Sequence, residues 1–259
     1  MRIALHAAGE IGHRAARILL SERSLIALGL YGHQAGRETE DRRMTAIREV
    51  AGFDLLTTDT AVDPLGFALI AADDGISCVL SADTAPDAAL AARFRAAGTT
   101  LLIAAGLGGG IAETLAAHEI TSIEENRRVR ISWTEPGRLL GGGEAVPFPE
   151  PVGARWGRKV PGRPGDRFPT TRVIAPVDGE WAGAVAEVTG LADGSRMQRV
   201  VGVADQADHL AALALAAGVV AVAEGSAPAG AHRPAAIAAA YLAAALRMGM
   251  DVATFTEEH

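Results

Sequence analysis

The sequence predicts an α/β protein in which a doubly wound parallel sheet is followed by an α+β second domain. Three observations point there. Up to about residue 120, short apolar, strand-like runs alternate with helical ones, the rhythm of parallel strands joined by crossover helices. The apolar share, 49% of 259 residues, rests on 54 alanines with 30 glycines beside them, while aromatics make up only 4%. Such small residues suit helices lying close on a parallel sheet. Beyond Ile120 alanine thins out, and strands alternate with proline- and glycine-rich turns. A chain of this length suits about two domains, placed here at 1–122 and 123–259.

The first strand is expected over 3–6, followed by helical periodicity over 9–20. The apolar run 25–31 is a second strand, and the charged stretch 41–50 has helical spacing. A short strand at 55–58 precedes a helix over 64–72, whose Pro64 suits a first turn. Residues 76–81 form a buried strand, 87–97 a helix closed by Gly98, 99–104 a strand, and 109–118 a helix that opens on glycine. Right-handed crossovers place such helices on both faces of the sheet. In the second half, Arg-Val-Arg-Ile-Ser-Trp-Thr over 128–134 alternates with period two. With 173–176, 181–189 and 196–203 it is expected to build an antiparallel sheet. Residues 139–172 read as a proline-rich loop. Helices over 205–224 and 234–248 follow and are free to pack back on either domain.

Composition excludes several function classes. The net charge is −7 and the pI about 5.5, against the basic balance of a nucleic-acid or anionic-membrane binder, so neither partner is expected. The one cysteine, Cys78, lies in an apolar run. It rules out an internal disulfide and a cysteine-rich metal site and suits a reducing cytoplasm. Met1-Arg2-Ile3-Ala4-Leu5 lacks a secretory layout. The longest uncharged apolar stretch, 210–223, falls short of the ~18–20 residues of a membrane span. Of 24 basic residues only Lys159 is a lysine. No Gly-Lys pair therefore exists for a Walker A loop, and neither Tyr31 nor Tyr241 begins a Tyr-x-x-x-Lys pair. There is no Gly-x-Ser-x-Gly elbow, and the seven histidines show no ligand spacing, so no metal is expected.

The strongest chemical signal is His6-Ala7-Ala8-Gly9-Glu10-Ile11-Gly12, after a strand and opening a helix. Aligned to G-x-G-x-x-G it places Ala7, Gly9 and Gly12 at the glycine positions, the mark of a Rossmann dinucleotide site. Gly9 lets the backbone approach a pyrophosphate, Gly12 lets helix and strand pack closely, and the helix end offers free N–H groups and a positive dipole. Ala7 is tolerated if its φ is negative. About 20 residues on, where an acid would hold the ribose of NAD, the chain reads Gly32-His33-Gln34-Ala35-Gly36-Arg37. His33, Gln34 and Arg37 suit a 2′-phosphate, so NADP is favoured with NAD still possible. A solvated loop is the alternative, with Glu38, Glu40 and Asp41 opposing the positive field. Ser81-Ala82-Asp83-Thr84 and Ala105-Gly106-Leu107-Gly108-Gly109-Gly110 end two later strands, where open α/β sheets bind ligands. Ser81, Ala82, Thr84, Ala105 and Gly106 are candidates beside the nicotinamide, with ordinary turn chemistry equally open.

The Ala-Ala-Gly-Glu-Ile-Gly loop, the Leu-Thr-Thr-Asp strand (56–59), the Ser-Ala-Asp-Thr loop and the Ala-Ala-Gly-Leu-Gly-Gly-Gly-Ile turn occur here in that order. Together they resemble the saccharopine dehydrogenase-like and dihydrodipicolinate reductase-like NAD(P)-dependent oxidoreductases, over about residues 1–120. The resemblance implies reversible hydride transfer to a C=N or C=C bond of an amino-acid-like substrate. The second domain would then supply substrate contacts and a dimer surface. Ala7 departs from the first glycine, and Gly108-Gly109 stands where saccharopine dehydrogenase-like chains often carry a proline before the glycine. Lys159 has no histidine near it in sequence, so the reductase's Lys–His catalytic pair is not carried over.

Arg155, Arg158, Lys159, Arg163, Arg167 and Arg172 fall within 18 residues with only Asp166 against them. Arg155 and Arg158 are candidates to clamp a substrate carboxylate from a mobile lid, with Trp156 closing over it. A solvated loop or dimer contact is the other reading. In Gly230-Ala231-His232-Arg233-Pro234, proline at a helix start puts His232 and Arg233 at that helix's N-terminus. His232 is a candidate proton donor, and Arg233 a candidate carboxylate ligand. A capped surface turn fits equally. Lys159 and Glu124 complete the acid–base candidates, Glu124 as part of a cleft or merely of a polar hinge. The helices over 210–223 and 235–246 are apolar nearly all round, so they must be buried, and a homodimer is expected to cover part of them. The sequence thus predicts an NAD(P)-dependent oxidoreductase with a small carboxylate-bearing substrate. A dinucleotide-binding sensor or an S-adenosylmethionine methyltransferase is the alternative.

Overall fold

The computed structural model describes residues 1–32, 41–108, 110–137, 143–161, 170–177 and 180–258. In chain order the first elements are β1 (Arg2–His6), α1 (Glu10–Ser21), β2 (Ala27–Tyr31), β3 (Met44–Ile47), β4 (Leu55–Thr58), α2 (Pro64–Asp73), β5 (Ser77–Leu80), α3 (Ala88–Ala97), β6 (Thr100–Leu102) and α4 (Gly110–Glu119). Then come β7 (Glu125–Pro136), β8 (Glu144–Pro147), β9 (Ala154–Val160), β10 (Thr170–Val177), β11 (Trp181–Ala192) and β12 (Ser195–Gln206). The chain continues with α5 (Ala207–Ala223), β13 (Gly230–His232), α6 (Ala238–Arg247) and β14 (Ala253–Glu258).

The first sheet runs β13-β6-β5-β4-β1-β2-β3, and every pairing in it is parallel. Its central strands β1, β4, β5 and β6 are buried on both faces, as period-two side chains require when helices lie above and below. Ile3, Leu5, Val79 and Leu102 pack with α1, α4 and α5 on one face. Ala4, Leu56, Cys78 and Leu80 meet α2 and α3 on the other. This is the doubly wound sheet expected, and its helix ends follow local chemistry. Asp87 caps α3 through Leu90 N at 2.7 Å, and Gly98 closes it at φ 70°. Asp63 caps α2 with Pro64 in the first turn.

The second sheet runs β14-β12-β11-β7-β10-β9-β8. β11 and β12 form a hairpin whose two-residue turn, Asp193-Gly194, has positive φ at both residues, as tight hairpin turns prefer. Val129, Ile131, Trp133, Ala184, Val188 and Val201 face inward and share one core with α4, α5 and α6. Helix α5 is buried along its length from Leu210 to Val222. Its all-round apolar surface is covered within the chain, by both sheets and by neighbouring helices. Among the described residues no helix is long and apolar enough to cross a membrane.

Several expectations are corrected. The stretch 41–50 contains strand β3 rather than a helix. β3 pairs with β2 from Leu28↔Met44 to Tyr31↔Ile47. Arg43, gripped by Asp41, donates to Leu20 O at 2.5 Å and so ties the strand's entry to the end of α1. The strand itself, Met-Thr-Ala-Ile, is uncharged, and the charges that suggested helical spacing flank it at the sheet's edge. The expected loop 139–172 contains β8, β9 and the start of β10. Proline stands there at a strand end (Pro147), where it costs no ladder bond inside the sheet. The second sheet is mixed rather than antiparallel, because β10 runs parallel to β7. The last helix is split, with a 3-10 turn over Pro234–Ile237 ahead of α6. The short strands β13 and β14 were not anticipated. β13 is only three residues long and becomes a strand by pairing with β6.

Candidate functional site

The glycine loop joins β1 to α1. Ala7 has no positive φ, as its lack of strain required. Gly12 has no room for a side chain: a Cβ there would sit 2.6 Å from Ala7 Cα. Over Gly9 there is space, since a Cβ would meet only Asp59 Oδ2, at 3.8 Å. Gly9 is the N-cap of α1 and offers no side-chain cap. Helix N-termini leave their first N–H groups without intrahelical partners, and here an acid from β4's end takes up part of the set. Asp59 accepts from Ala8 N (2.6 Å) through Oδ1, and from Gly9 N (3.1 Å) and Gly12 N (2.8 Å) through Oδ2. Glu10 and Ile11 are the first two residues of the helix, whose N–H groups lie too early for an intrahelical partner, and the Glu10 side chain pairs with Arg14 at 3.0 Å.

β1 is flanked by β2 on one side and β4 on the other, and the strand order reverses there. Open α/β sheets bind ligands outside the carboxyl ends of the strands at this point. The neighbouring strand ends are laced together. Ser81 N donates to Thr58 O (3.2 Å), Ala104 N to Ala82 O (2.9 Å) and Ala105 N to Leu80 O (2.9 Å). Ala104 has φ 58°, uncommon for a residue with a Cβ. A Cβ on Gly106 would reach Ser81 O at 2.7 Å, and one on Gly110 would reach Ala104 O at 2.0 Å. Both glycines are therefore required by close approach. Ala7 to Gly12, Ser81, Ala82, Thr84, Ala105 and Gly106 thus lie along one edge of one sheet.

β13 brings His232 and Arg233 to the same edge, although His232 ends a strand rather than opening a helix. His232 Nε2 lies 3.3 Å from Ala229 O. A carbonyl only accepts, so Nε2 is the donor in this contact. Arg233 precedes the 3-10 turn and is gripped by two acids. Its Nη1 and Nη2 donate to Asp83 at 2.7 and 3.1 Å, and its Nε donates to Glu113 at 2.8 Å. Burial works against this charge, but Asp83 and Glu113 outweigh it and hold the guanidinium protonated even more firmly than usual. Glu113 also accepts from buried Arg172 at 2.6 Å. Asp83, Arg233, Glu113 and Arg172 form a chain of alternating charge from β5's end through α4 to β10.

The remaining candidates stand elsewhere. Arg155, Trp156 and Arg158 are exposed on β9, near the far edge of the second sheet. The segment that carries them is a paired strand, not a lid. Lys159, also on β9, pairs with Glu144 at 3.3 Å and stands on a different sheet from His232. Glu124 is exposed ahead of β7, with its N–H on Leu191 O at 2.8 Å. His33, Gln34 and Arg37 lie outside the described residues. Among the described residues no group of acids, histidines and cysteine could hold a metal. The sequence shows no role for Asp59, Asp83 or Glu113: Asp59 meets N–H groups 47 to 51 residues away and Arg233 meets its two acids across 150 and 120 residues, separations that leave no local signal.

No protein-family model matches the chain, and no curated protein does. Solved structures do. The C. glutamicum DAP dehydrogenase in complex with DAP is 14% identical, with a TM-score of 0.56, covering 90% of this chain and 92% of that one. Homospermidine synthase from Legionella pneumophila, in complex with NAD, is 8% identical with a TM-score of 0.59, covering 99% and 91%. An engineered D-amino acid dehydrogenase bound to NADP+ is 13% identical with a TM-score of 0.52, covering 90% and 92%. At such identities the likeness shows the fold. It is a Rossmann-like, doubly wound parallel sheet joined to a second, mixed sheet.

Proposed function

We propose that this chain is an NAD(P)-dependent oxidoreductase that transfers a hydride to a C=N or activated double bond of a small, carboxylate-bearing, amino-acid-like substrate. The observation that carries the reading is the glycine loop, placed between β1 and α1 at the reversal of an all-parallel sheet. The fold likeness supports it, since one neighbour is named a DAP dehydrogenase and another a D-amino acid dehydrogenase. NADP and NAD both occur among the neighbours' ligands. His33, Gln34 and Arg37 favour NADP here.

The residues present fit such a cofactor: Gly9 is open above its backbone, and Gly12 seats the helix against the strand. A bound nicotinamide dinucleotide supplies the hydride. Glu10 and Ile11 N–H would hold its pyrophosphate, with Ser81, Ala82, Thr84, Ala105 and Gly106 beside the nicotinamide half. His232 would deliver a proton from Nδ1 as the doubly protonated imidazolium, its Nε2 proton staying on Ala229 O and the ring ending neutral. Arg155, Arg158 and Trp156 would contact substrate only from the second sheet, and the chain would work as a homodimer.

A sensor that binds a dinucleotide without turnover is the second reading. It is favoured by Arg233, whose charge is already met by Asp83 and Glu113 through three of its five N–H donors. The test is thermal stabilisation by NADPH, NADH and S-adenosylmethionine, followed by turnover on a panel of imino and oxo acids. The proposal expects NADPH to stabilise most and at least one imino acid to be reduced. Binding without turnover would favour the sensor, and stabilisation by S-adenosylmethionine alone would discard both. Light scattering would settle the dimer.

A further inference from the structure

Asp59 is the residue after β4, and β4 lies beside β1 where the strand order reverses. Its carboxylate holds three backbone N–H groups of the loop, those of Ala8, Gly9 and Gly12. Among the described residues it makes no ion pair, whereas the neighbouring Glu10 is met by Arg14. A negative charge is thus already seated at the positive end of α1, where a phosphate would be drawn. A pyrophosphate arriving there finds the outer donors, Glu10 and Ile11 N–H, and a fixed carboxylate behind them. Like charges at such range repel appreciably even when partly solvated.

We propose that Asp59 is an internal anion of the glycine loop that sets the loop's affinity for phosphate groups. It shapes the loop by occupying the inner donors, and its charge lowers the affinity of the outer donors for phosphate anions. This rests on reading the loop as a dinucleotide site.

Asp59→Asn keeps the side chain's shape and removes its charge; with its one amide oxygen on Gly9 and Gly12 N–H it gives up only the bond from Ala8 N. NADPH and inorganic pyrophosphate are titrated calorimetrically against the full-length wild type and variant, at low and high salt. The variant is expected to bind both ligands roughly tenfold more tightly, with the gain shrinking at high salt. A merely structural residue would give a loss of affinity that salt does not change. Equal or weaker binding by a folded variant overturns the proposal, and the dinucleotide reading survives if NADPH still binds. Tighter pyrophosphate binding with no NADPH binding to either form overturns that reading and leaves Asp59 in its role. Failure of both ligands to bind either form overturns both. If the variant does not fold, the wild-type amide resonances decide. With pyrophosphate the largest shifts are expected at Glu10 and Ile11, and largest shifts at Ala8, Gly9 and Gly12 overturn the proposal.

Discussion

Tyr241 and Gly12 show how much single atoms decide here. The Tyr241 side chain is fully buried, and burial pushes its phenol far above the usual range. Its hydroxyl has no hydrogen-bond partner among the described residues. An unpartnered buried hydroxyl costs about 1–3 kcal/mol, so Tyr241→Phe should leave stability unchanged or raise it by up to about that amount in urea denaturation. A clear loss of stability would show that the hydroxyl has a partner. Gly12 was legible in the sequence because the fingerprint encodes its reason, a helix lying too close to a strand for any Cβ. Asp59 was not, because its role exists only once β4 pairs with β1 and brings it to N–H groups 47 to 51 residues away.

At the scale of elements, period and local chemistry identified the strands and helices of the first half, where a buried strand or a capped helix carries its own pattern. They failed at edges. Strand β3 carries charges at its entry and takes its form from β2 and from Arg43. The Asp41 carboxyl is held down to about 2, chiefly by the Arg43 side chain and then by its backbone N–H. A depressed carboxylate contributes stability above its unfolded value and loses it as the folded group takes up a proton. The Asp41 contribution is therefore expected to be complete above pH 3.8 and to fade as pH falls through about 2. Asp41→Asn should flatten the acid limb of the melting temperature over that window. An acid limb identical in both forms would place the effect elsewhere. The pair is solvent-exposed, so the difference is expected to be small.

Across the whole molecule, the chain Asp83–Arg233–Glu113–Arg172 ties the carboxyl edge of the first sheet to the second sheet through α4. Arg172 and Glu113 expose only 5% and 9% of their side chains. Breaking a buried pair leaves an uncompensated charge and costs about 3–5 kcal/mol. Glu113→Gln is expected to lower unfolding stability by about 3 kcal/mol, read from urea midpoints at constant m-value. A loss under about 1 kcal/mol would mean that other groups already neutralise Arg172. The same connection bears on function, because Arg233 and His232 reach the edge only through β13, a late segment that joins the first sheet next to β6.

The sequence by itself determined the doubly wound sheet, the glycine loop at its first turn, the apolar helices that had to be buried and the family of folds the chain resembles. Each depends on residues within one turn or one strand of each other, where spacing is the physical signal. The tertiary structure alone decided that the apolar surface of α5 is covered inside the chain, that β9 carries the basic run on a distant strand, and that Asp59, Asp83 and Glu113 occupy the donors of the glycine loop and of Arg233. These depend on which strand lies beside which, and a carboxylate's partner across 150 residues is chosen by the fold's geometry rather than by any local pattern.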